Sequence, residues 1–152
     1  MPISRAFVDD FFKVYSARDP DRLGAFIHDD VVWTVSGPVD VISYCGTHRG
    51  KAAVLDLILR LIPSVFSHTQ HFQESLLLDG DRVAMLNRRS ACRSGDGRII
   101  SYRVANFMRF EDGKVIENQS LLDSFDAVEQ VLGHRLTAYD PPSSRTSDLV
   151  AL

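Results

Sequence analysis

Apolar residues near the start of the chain recur at spacings of one, three and four, with polar residues between them. This pattern is typical of an amphipathic helix, and it predicts one over residues 3–16. Asp19-Pro20 offers a capping residue and a proline at a first helical position, which predicts a short second helix. The β-branched and aromatic run at 31–35 predicts a strand. A third helix is expected at about 51–62, with Pro63 stopping it.

The second half of the chain changes to long runs that are rich in apolar and β-branched residues. Turn-forming pairs such as Gly80-Asp81 and Asp112-Gly113 separate these runs. We therefore predict four consecutive strands and a short last helix, at about 65–78, 82–93, 98–110, 114–122 and 124–132. This order predicts an α+β fold, in which a strongly curved antiparallel sheet wraps around about three N-terminal helices. Such a cone encloses a pocket that side chains or a ligand must fill.

Length, composition and charge indicate the domain organisation and exclude some classes of function, but they do not select one function. We expect one domain, residues 1–135, and a proline- and serine-rich C-terminal tail, 136–152, that is loosely ordered or packed on a partner subunit. The net charge of −3 argues against a nucleic-acid partner, and no apolar run approaches the length of a membrane span. No signal peptide is recognisable and the two cysteines form no CxxC pair. We therefore expect a cytoplasmic protein with reduced thiols.

The chain resembles the nuclear transport factor 2-like superfamily, and within it the SnoaL-like and ketosteroid-isomerase-like branch. The resemblance is carried by SARDPDRLGAFIHDDVVW, by YCGTHRGKAAVLDLI, and by LLLDGDRVAMLNRRSACRSGDGR followed by NFMRFEDGKVIENQSLLDSFD. It implies the cone-shaped fold but no single activity, because this fold hosts isomerases, cyclases, hydrolases, dehydratases and non-catalytic binders. Sheets of this kind commonly bury their outer face against a second copy. We therefore expect a homodimer through the convex sheet face, where Leu86 and Phe107 should lie.

The resemblance does not extend to the catalytic residues of a ketosteroid isomerase. Phe11 stands where such an enzyme has a tyrosine, and Val35 stands where it has a carboxylate base. Asn106 replaces the acid donor, and an amide can donate a hydrogen bond without being an acid. Two of the three roles are lost, so ketosteroid isomerase activity is not expected.

Two other enzyme patterns keep part of their residues. Limonene-epoxide hydrolases use an Asp-Arg-Asp arrangement, for which the resemblance supplies Arg89 and Asp123 but places Ala91 at the other aspartate. SnoaL-type polyketide cyclases can use a single aspartate as acid and base, and Asp123 fits that role. Asp123 also precedes Ser124 and a predicted helix, so it is equally well interpreted as an N-cap. An ion pair between Asp123 and Arg89 is a further alternative.

Strand alternation predicts which side chains share the inner face of the sheet. The candidate catalytic residues are Asp123, Arg89 and Asn106, although Asn106 could instead be a core amide bonded to the backbone. His71 faces inward or outward depending on the register of its strand. The predicted ligand pocket is lined by Trp33, Tyr44, Phe11, Tyr102, Val104, Met85, Asn87, Leu121 and His71.

Three functions remain open at this point. The first is a cofactor-free isomerase, cyclase or hydrolase that acts on a hydrophobic, carbonyl-bearing small molecule, with Asp123 as acid and base, Arg89 stabilising charge and Asn106 donating to an oxygen. The second is a small-molecule binder without turnover, and the third is a structural module whose inner side is packed shut. No cofactor motif is recognisable. No metal site is expected, because His68 and His71 lie three apart on a predicted strand and should point to opposite faces.

Overall fold

The structure is a computed structural model that describes residues 2–137. Its elements are α1 (Arg5–Ala17), α2 (Pro20–Phe26), β1 (Ile27–Ser36), β2 (Gly46–Arg49), α3 (Lys51–Asp56), a π-helical segment (Leu57–Leu61), α4 (Ile62–Val65), β3 (Phe66–Asp79), β4 (Arg82–Arg93), β5 (Ile99–Glu111), β6 (Lys114–Leu122) and α5 (Ser124–Leu132). This order confirms the predicted α+β fold. From residue 138 onward, the predicted tail lies outside the described residues, and the domain boundary at 135 stays a prediction.

The first two helices begin at residues whose side chains cap them. The Ser4 hydroxyl accepts a hydrogen bond from the backbone N–H of Phe7 at 3.2 Å, and the carboxylate of Asp19 caps the first turn of α2. The inward face of α1 packs on the sheet, where the ring of Phe11 lies 6.2 Å from that of Phe110. Among residues 2–137, no helix has both the length and the apolar character to cross a membrane.

The third helical stretch continues past Pro63, which corrects the prediction that this proline stops it. In the middle of the stretch the helix widens, and the backbone N–H of Ile62 bonds to the carbonyl of Leu57, five residues back. Pro63 then lies in the first turn of α4, where its missing N–H is tolerated. π-helical turns of this kind occur frequently at functional sites, and Ile62 lines the cavity described below.

The strands form one six-stranded sheet in the order β2-β1-β6-β5-β4-β3. The last four strands pair antiparallel, as predicted, but β1 pairs parallel with β6. The sheet is therefore mixed, which corrects the expectation of a purely antiparallel one. The hydrophobic pattern identifies β1 as a strand but carries no information about which edge of the meander it joins. β2, for which the sequence patterns above predict no element, pairs antiparallel with β1.

The two faces of the sheet differ in exposure. The inner face packs against the helices and forms one continuous hydrophobic core. The convex face carries large apolar side chains that remain accessible: Leu77 is 68% exposed, Phe107 52% and Leu121 41%. Leu86 lies on the same face and is half-buried. The homodimer through this face stays a prediction.

Candidate functional site

A small cavity lies between the inner face of the sheet, α1 and the end of the π-helical segment. Its lining combines an apolar wall with converging polar groups: Phe12, Tyr15, Trp33, Val35, Tyr44, Ile62, His71, Arg89, Val104, Asn106, Met108, Asn118, Ser120 and Leu122. The cavity leaves about 30 Å³ for the centres of water molecules, and a single water needs about 10–15 Å³ on this measure. It can therefore hold a few waters or the head of a ligand, and a whole drug-sized molecule would not fit without side-chain movement.

Cross-strand pairing explains how residues that are distant in sequence meet at this cavity. His71 pairs with Arg89, and Arg89 pairs with Tyr102, so these side chains form one row across β3, β4 and β5. On the next strands Asn106 pairs with Ser120. Directly opposed residues point to the same face, with Cβ atoms about 4.5–5.5 Å apart. Each row therefore delivers polar groups onto an otherwise apolar surface.

A bulge in β3 turns His71 toward the cavity. Ser67 pairs with Cys92 and Gln70 pairs with Ser90, so two residues of β3 stand opposite one residue of β4. His68, within the bulge, has a left-handed φ of 49°. The extra residue reverses the alternation of side chains, and Phe66 and His71 both face inward although they are five residues apart.

Arg89 is a buried cation without a carboxylate partner. It is 5% exposed, and among residues 2–137 no Asp or Glu forms an ion pair with it. Its Nη1 donates to the Tyr44 hydroxyl at 3.5 Å, and its Cζ lies 5.8 Å from the centre of the Phe66 ring. Nε and Nη2 are buried and have no partner in the described part of the chain. Burying a charge without a partner lowers the stability of the folded protein by several kcal/mol as an order of magnitude. Arg89 is therefore the unusual feature of the site.

The surroundings keep Arg89 charged and the nearby phenols protonated. Burial disfavours the charge of Arg89, but the phenolic groups of Tyr102, Tyr44 and Tyr15 favour it, and its pKa lies above the ordinary value. Burial raises the pKa of Tyr44 well above its ordinary value and raises the pKa of Tyr15, although Arg89 opposes both shifts. The Tyr44 hydroxyl also lies 3.3 Å from the hydroxyl of Tyr102. At neutral pH the site therefore contains a positive charge and the neutral hydroxyls of Tyr44 and Tyr15.

His71 supplies a second polar group, which is uncharged at neutral pH. Burial, and after it the positive charges of Arg89 and Arg18, together lower the pKa of His71 to about 3. Its Nδ1 is buried and has no partner within residues 2–137. The ring packs edge-on against Tyr15, with the ring centres 5.7 Å apart. A neutral imidazole has one donor and one acceptor nitrogen, so the free Nδ1 is available to a ligand.

A network of amides and a hydroxyl forms the other polar wall. The Nδ2 of Asn106 donates to the Ser120 hydroxyl at 2.7 Å and to Oδ1 of Asn118 at 3.3 Å. The Nδ2 of Asn118 donates to the same hydroxyl at 3.0 Å. Asn106 is therefore a cavity-facing amide that bonds to side chains, and the alternative of a core amide bonded to the backbone is not what the structure shows.

A wider groove adjoins the cavity on its outer side. It leaves about 420 Å³ for the centres of water molecules. The side chains that line only this groove are polar: Asp9, Lys13, Ser16, Gln73 and Asn87. Phe12 and His71 line both the groove and the inner cavity, and their ring centres are 6.2 Å apart. These two side chains therefore lie where the groove and the cavity adjoin.

Asp123 lies outside the cavity, which corrects its predicted place in the pocket. It is exposed and forms the N-cap of α5, where its carboxylate accepts a hydrogen bond from the backbone N–H of Asp126 at 3.5 Å. The strand before it directs Ser120 and Leu122 inward, so alternation turns the next side chain outward. It forms no ion pair with Arg89. The single-aspartate mechanism therefore has no acid in this cavity.

The other predicted residues lie in four different places. The inner cavity is lined by six of them: Arg89, Asn106, Trp33, Tyr44, Val104 and His71. Asn87 lines the outer groove. Phe11, Met85 and Tyr102 are core residues beside the cavity and are not part of its lining. Leu121 lies on the convex face, which corrects its predicted place in the pocket. The cause is the same as for Asp123, because both predictions assumed that the inward-facing side chains of β6 were one residue further along the strand.

Several lining residues were not predicted, and some left a signal in the sequence. Asn118 and Ser120 are polar residues two apart on a predicted strand, a spacing that places both on one face. Phe12 and Tyr15 lie on the apolar face of α1 that the sequence identifies. Which of these side chains reach the cavity depends on how α1 sits on the sheet, and helical periodicity does not determine that.

Comparisons with known proteins agree with this architecture. The sequence model of the SnoaL-like domain matches residues 8–118. No curated protein matches the chain. Among solved structures, the chain is similar to a proposed isomerase from Rhodopseudomonas palustris, with 32% identity and a TM-score of 0.78 over 87% of this chain and 100% of that one.

Two further structures share the fold at lower identity. One is a nuclear transport factor 2-like protein of unknown function from Burkholderia pseudomallei, with 21% identity and a TM-score of 0.74 over 83% of this chain and 95% of that one. The other is TerC, which was co-crystallised with polyporic acid, with 20% identity and a TM-score of 0.72 over 84% and 96%.

Proposed function

The chain belongs to the SnoaL-like family, and we propose that it binds a small, largely apolar molecule in the inner cavity through an oxygen atom that contacts Arg89. The observation that carries this proposal is the buried guanidinium edge, since Nε and Nη2 have no partner among the described residues. Both atoms are donors, and a ligand oxygen is the group that would accept from them. An apolar wall with a few convergent polar groups is typical of small-molecule sites.

The remaining polar groups would orient such a ligand. The Tyr44 hydroxyl lies beside Nη1 of Arg89, and Asn106 reaches the cavity from β5. A packed-shut structural module is a weaker explanation, because it would leave the donors of Arg89 and the Nδ1 of His71 buried without partners. Removing water from an unpaired polar group costs about 1–3 kcal/mol, and bound ligand or solvent would offset that cost.

A second candidate function is isomerase-type proton transfer at the same place. A proton on the carbon between a carbonyl and a C=C bond would move to Nδ1 of His71. The C–H electron pair would form a new carbon–carbon double bond, while the π pair of the carbonyl shifts onto the oxygen held by Arg89. Return of that proton to the far carbon of the dienolate would restore the carbonyl and leave the original C=C bond shifted, which is an isomerisation. Two observations favour this candidate: His71 stands directly opposite Arg89 on the neighbouring strand, and the similar protein from Rhodopseudomonas palustris is a proposed isomerase.

Ligand-observed NMR with a panel of small aromatic ketones tests the binding proposal. We expect binding signals of the ketones in the presence of the wild type. These signals should disappear with Arg89→Met and persist with Arg88→Met. Arg88 is the matched control, because it is the next residue on β4, faces outward and pairs with Glu74 at 3.3 Å. Equal binding by both variants would contradict the proposed role of Arg89.

The second candidate is tested by following deuterium uptake into a bound ketone in D₂O. Turnover predicts exchange at the carbon beside the carbonyl in the wild type, and loss of that exchange in His71→Gln. If the wild type binds a ketone but no deuterium exchange occurs, the proton-transfer candidate is wrong and only the binding function stands. The expected homodimer through the convex face and the cytoplasmic location are also retained as proposals.

A further inference from the structure

We infer that the occupant of the inner cavity is an organic anion, whose charged oxygens accept hydrogen bonds from both Nε and Nη2 of Arg89. This inference rests on the proposed binding function and names the chemical class of the ligand. It predicts a full negative charge, such as a carboxylate or the oxygen of an acidic enol, at the place where a neutral carbonyl would otherwise be held.

The first argument is the charge balance around the cavity. None of the side chains that line it is an aspartate or a glutamate. Ion pairs in the described part of the chain involve other cations, such as Arg88, Arg103 and Arg109 on the convex face. No carboxylate within residues 2–137 therefore forms an ion pair with the buried Arg89, and an anionic ligand would supply the missing partner.

The second argument is the geometry of the guanidinium group. Its Nη1 is already directed at the Tyr44 hydroxyl, and one face lies near the Phe66 ring. The unpartnered atoms, Nε and Nη2, form the side edge of the planar group, which presents two parallel N–H bonds. A carboxylate matches this edge with two oxygens, whereas a ketone or an amide offers a single acceptor atom.

The third argument is a second cation nearby. Arg18 donates to the Thr69 hydroxyl at 2.7 Å, and no carboxylate among the described residues forms an ion pair with it. Its charge acts on Tyr15 and His71 together with that of Arg89. Two cations therefore act on the side chains that line the cavity, which favours an anion over a neutral molecule.

Cavity size indicates how the anion would be placed. The space beside Arg89 suits a carboxylate head, because it holds only a few waters. The larger groove begins on the other side of Phe12 and His71. Because Phe12 and His71 line both spaces, the body of the ligand would extend past these side chains into the groove.

The test compares matched acids and amides on the unaltered protein. Acetate with acetamide and phenylacetate with phenylacetamide differ in charge but little in shape, and titration by NMR at constant ionic strength gives their affinities. A charge-assisted pair of hydrogen bonds predicts that at least one acid binds about tenfold or more tightly than its amide. The preference should be lost in Arg89→Met, weakened in Arg89→Lys and retained in Arg88→Met.

Each outcome separates this inference from the proposed function. If the amides bind as well as the acids, or if only the ketone panel binds, the ligand is not an anion and binding at Arg89 stands. If Arg89→Met keeps both the acid preference and the ketone signals, the inference and the proposed function are both wrong. The same conclusion follows if no acid, amide or ketone binds. The acid and amide comparison requires no variant, so a folding defect in Arg89→Met would not obscure it.

Discussion

Replacing His71 with glutamine should make the stability of the protein less sensitive to acid. In the folded protein, burial and the neighbouring arginines hold the pKa of His71 at about 3. In the unfolded chain the pKa of a histidine is about 6.5. Between these values the unfolded state binds a proton that the folded state does not, so the free energy of unfolding falls as the pH is lowered.

The size of the effect follows from the two pKa values. At pH 5 the folded imidazole is still neutral, so the change depends on protonation of the unfolded chain alone. Lowering the pH from 7 to 5 protonates His71 almost completely in the unfolded state. That costs the wild type about 2 kcal/mol of stability through this residue. Below the folded pKa of about 3 the loss would be complete.

Urea unfolding at pH 7 and pH 5 measures this contribution. Carboxylates elsewhere also titrate, so the relevant quantity is the difference between the wild type and His71→Gln. We expect the variant to lose about 2 kcal/mol less than the wild type over this range. The control is His134→Gln, which alters an exposed histidine beyond α5 and should behave like the wild type. Equal losses in the wild type and His71→Gln would refute the conclusion that the imidazole of His71 is neutral in the folded protein.

Three further predictions concern the surroundings of the site. Asp123→Ala should lower the free energy of unfolding by about 1 kcal/mol through loss of the α5 cap, while ligand affinities in titrations stay unchanged. Loss of ligand binding in this variant would show that Asp123 takes part in the site after all. In Gly37→Ala the new Cβ would lie 2.6 Å from the Cys45 sulfur, which should cost about 1–3 kcal/mol by urea unfolding. The cost should shrink in a Cys45→Ala background, and an equal cost there would exclude this contact as its cause. If the convex face forms a homodimer, light scattering should show a wild-type dimer that Phe107→Glu converts to monomers and Phe125→Glu, on α5, leaves intact; a monomeric wild type would exclude it.

Local signals in the sequence were sufficient for most elements of the fold. The four strands of the meander and α5 occur close to the predicted positions, because turn residues and hydrophobic runs mark them independently of tertiary contacts. The parallel pairing of β1 with β6 could not be predicted in this way, since it depends on which strand edge the helices leave free. The continuation of the helix past Pro63 likewise depends on a widened turn that no residue type announces.

The site shows how much depends on a single residue of register. On β4 and β5, alternation placed Arg89 and Asn106 on the inner face, where the structure has them. On β6, alternation counted from an inward-facing Asp123 predicts the wrong phase, because Asp123 is a helix cap at the surface and Ser120 and Leu122 face inward. The bulge in β3 reverses alternation again and decides the position of His71. Such shifts are invisible to periodicity, which assumes an unbroken ladder.

With Asp123 on the surface, the charge at the centre of the site has the opposite sign to the one that the family resemblance implies. The ketosteroid isomerase, epoxide hydrolase and cyclase patterns all place a carboxylate beside the substrate, whereas this cavity has a cation and a neutral imidazole. The repulsion between Arg89 and a protonated His71 helps to keep the imidazole neutral. An anion bound to Arg89 would weaken that repulsion and raise the pKa of His71. The ligand would then supply the negative charge that the protein lacks and make His71 a stronger base in the complex than in the free protein.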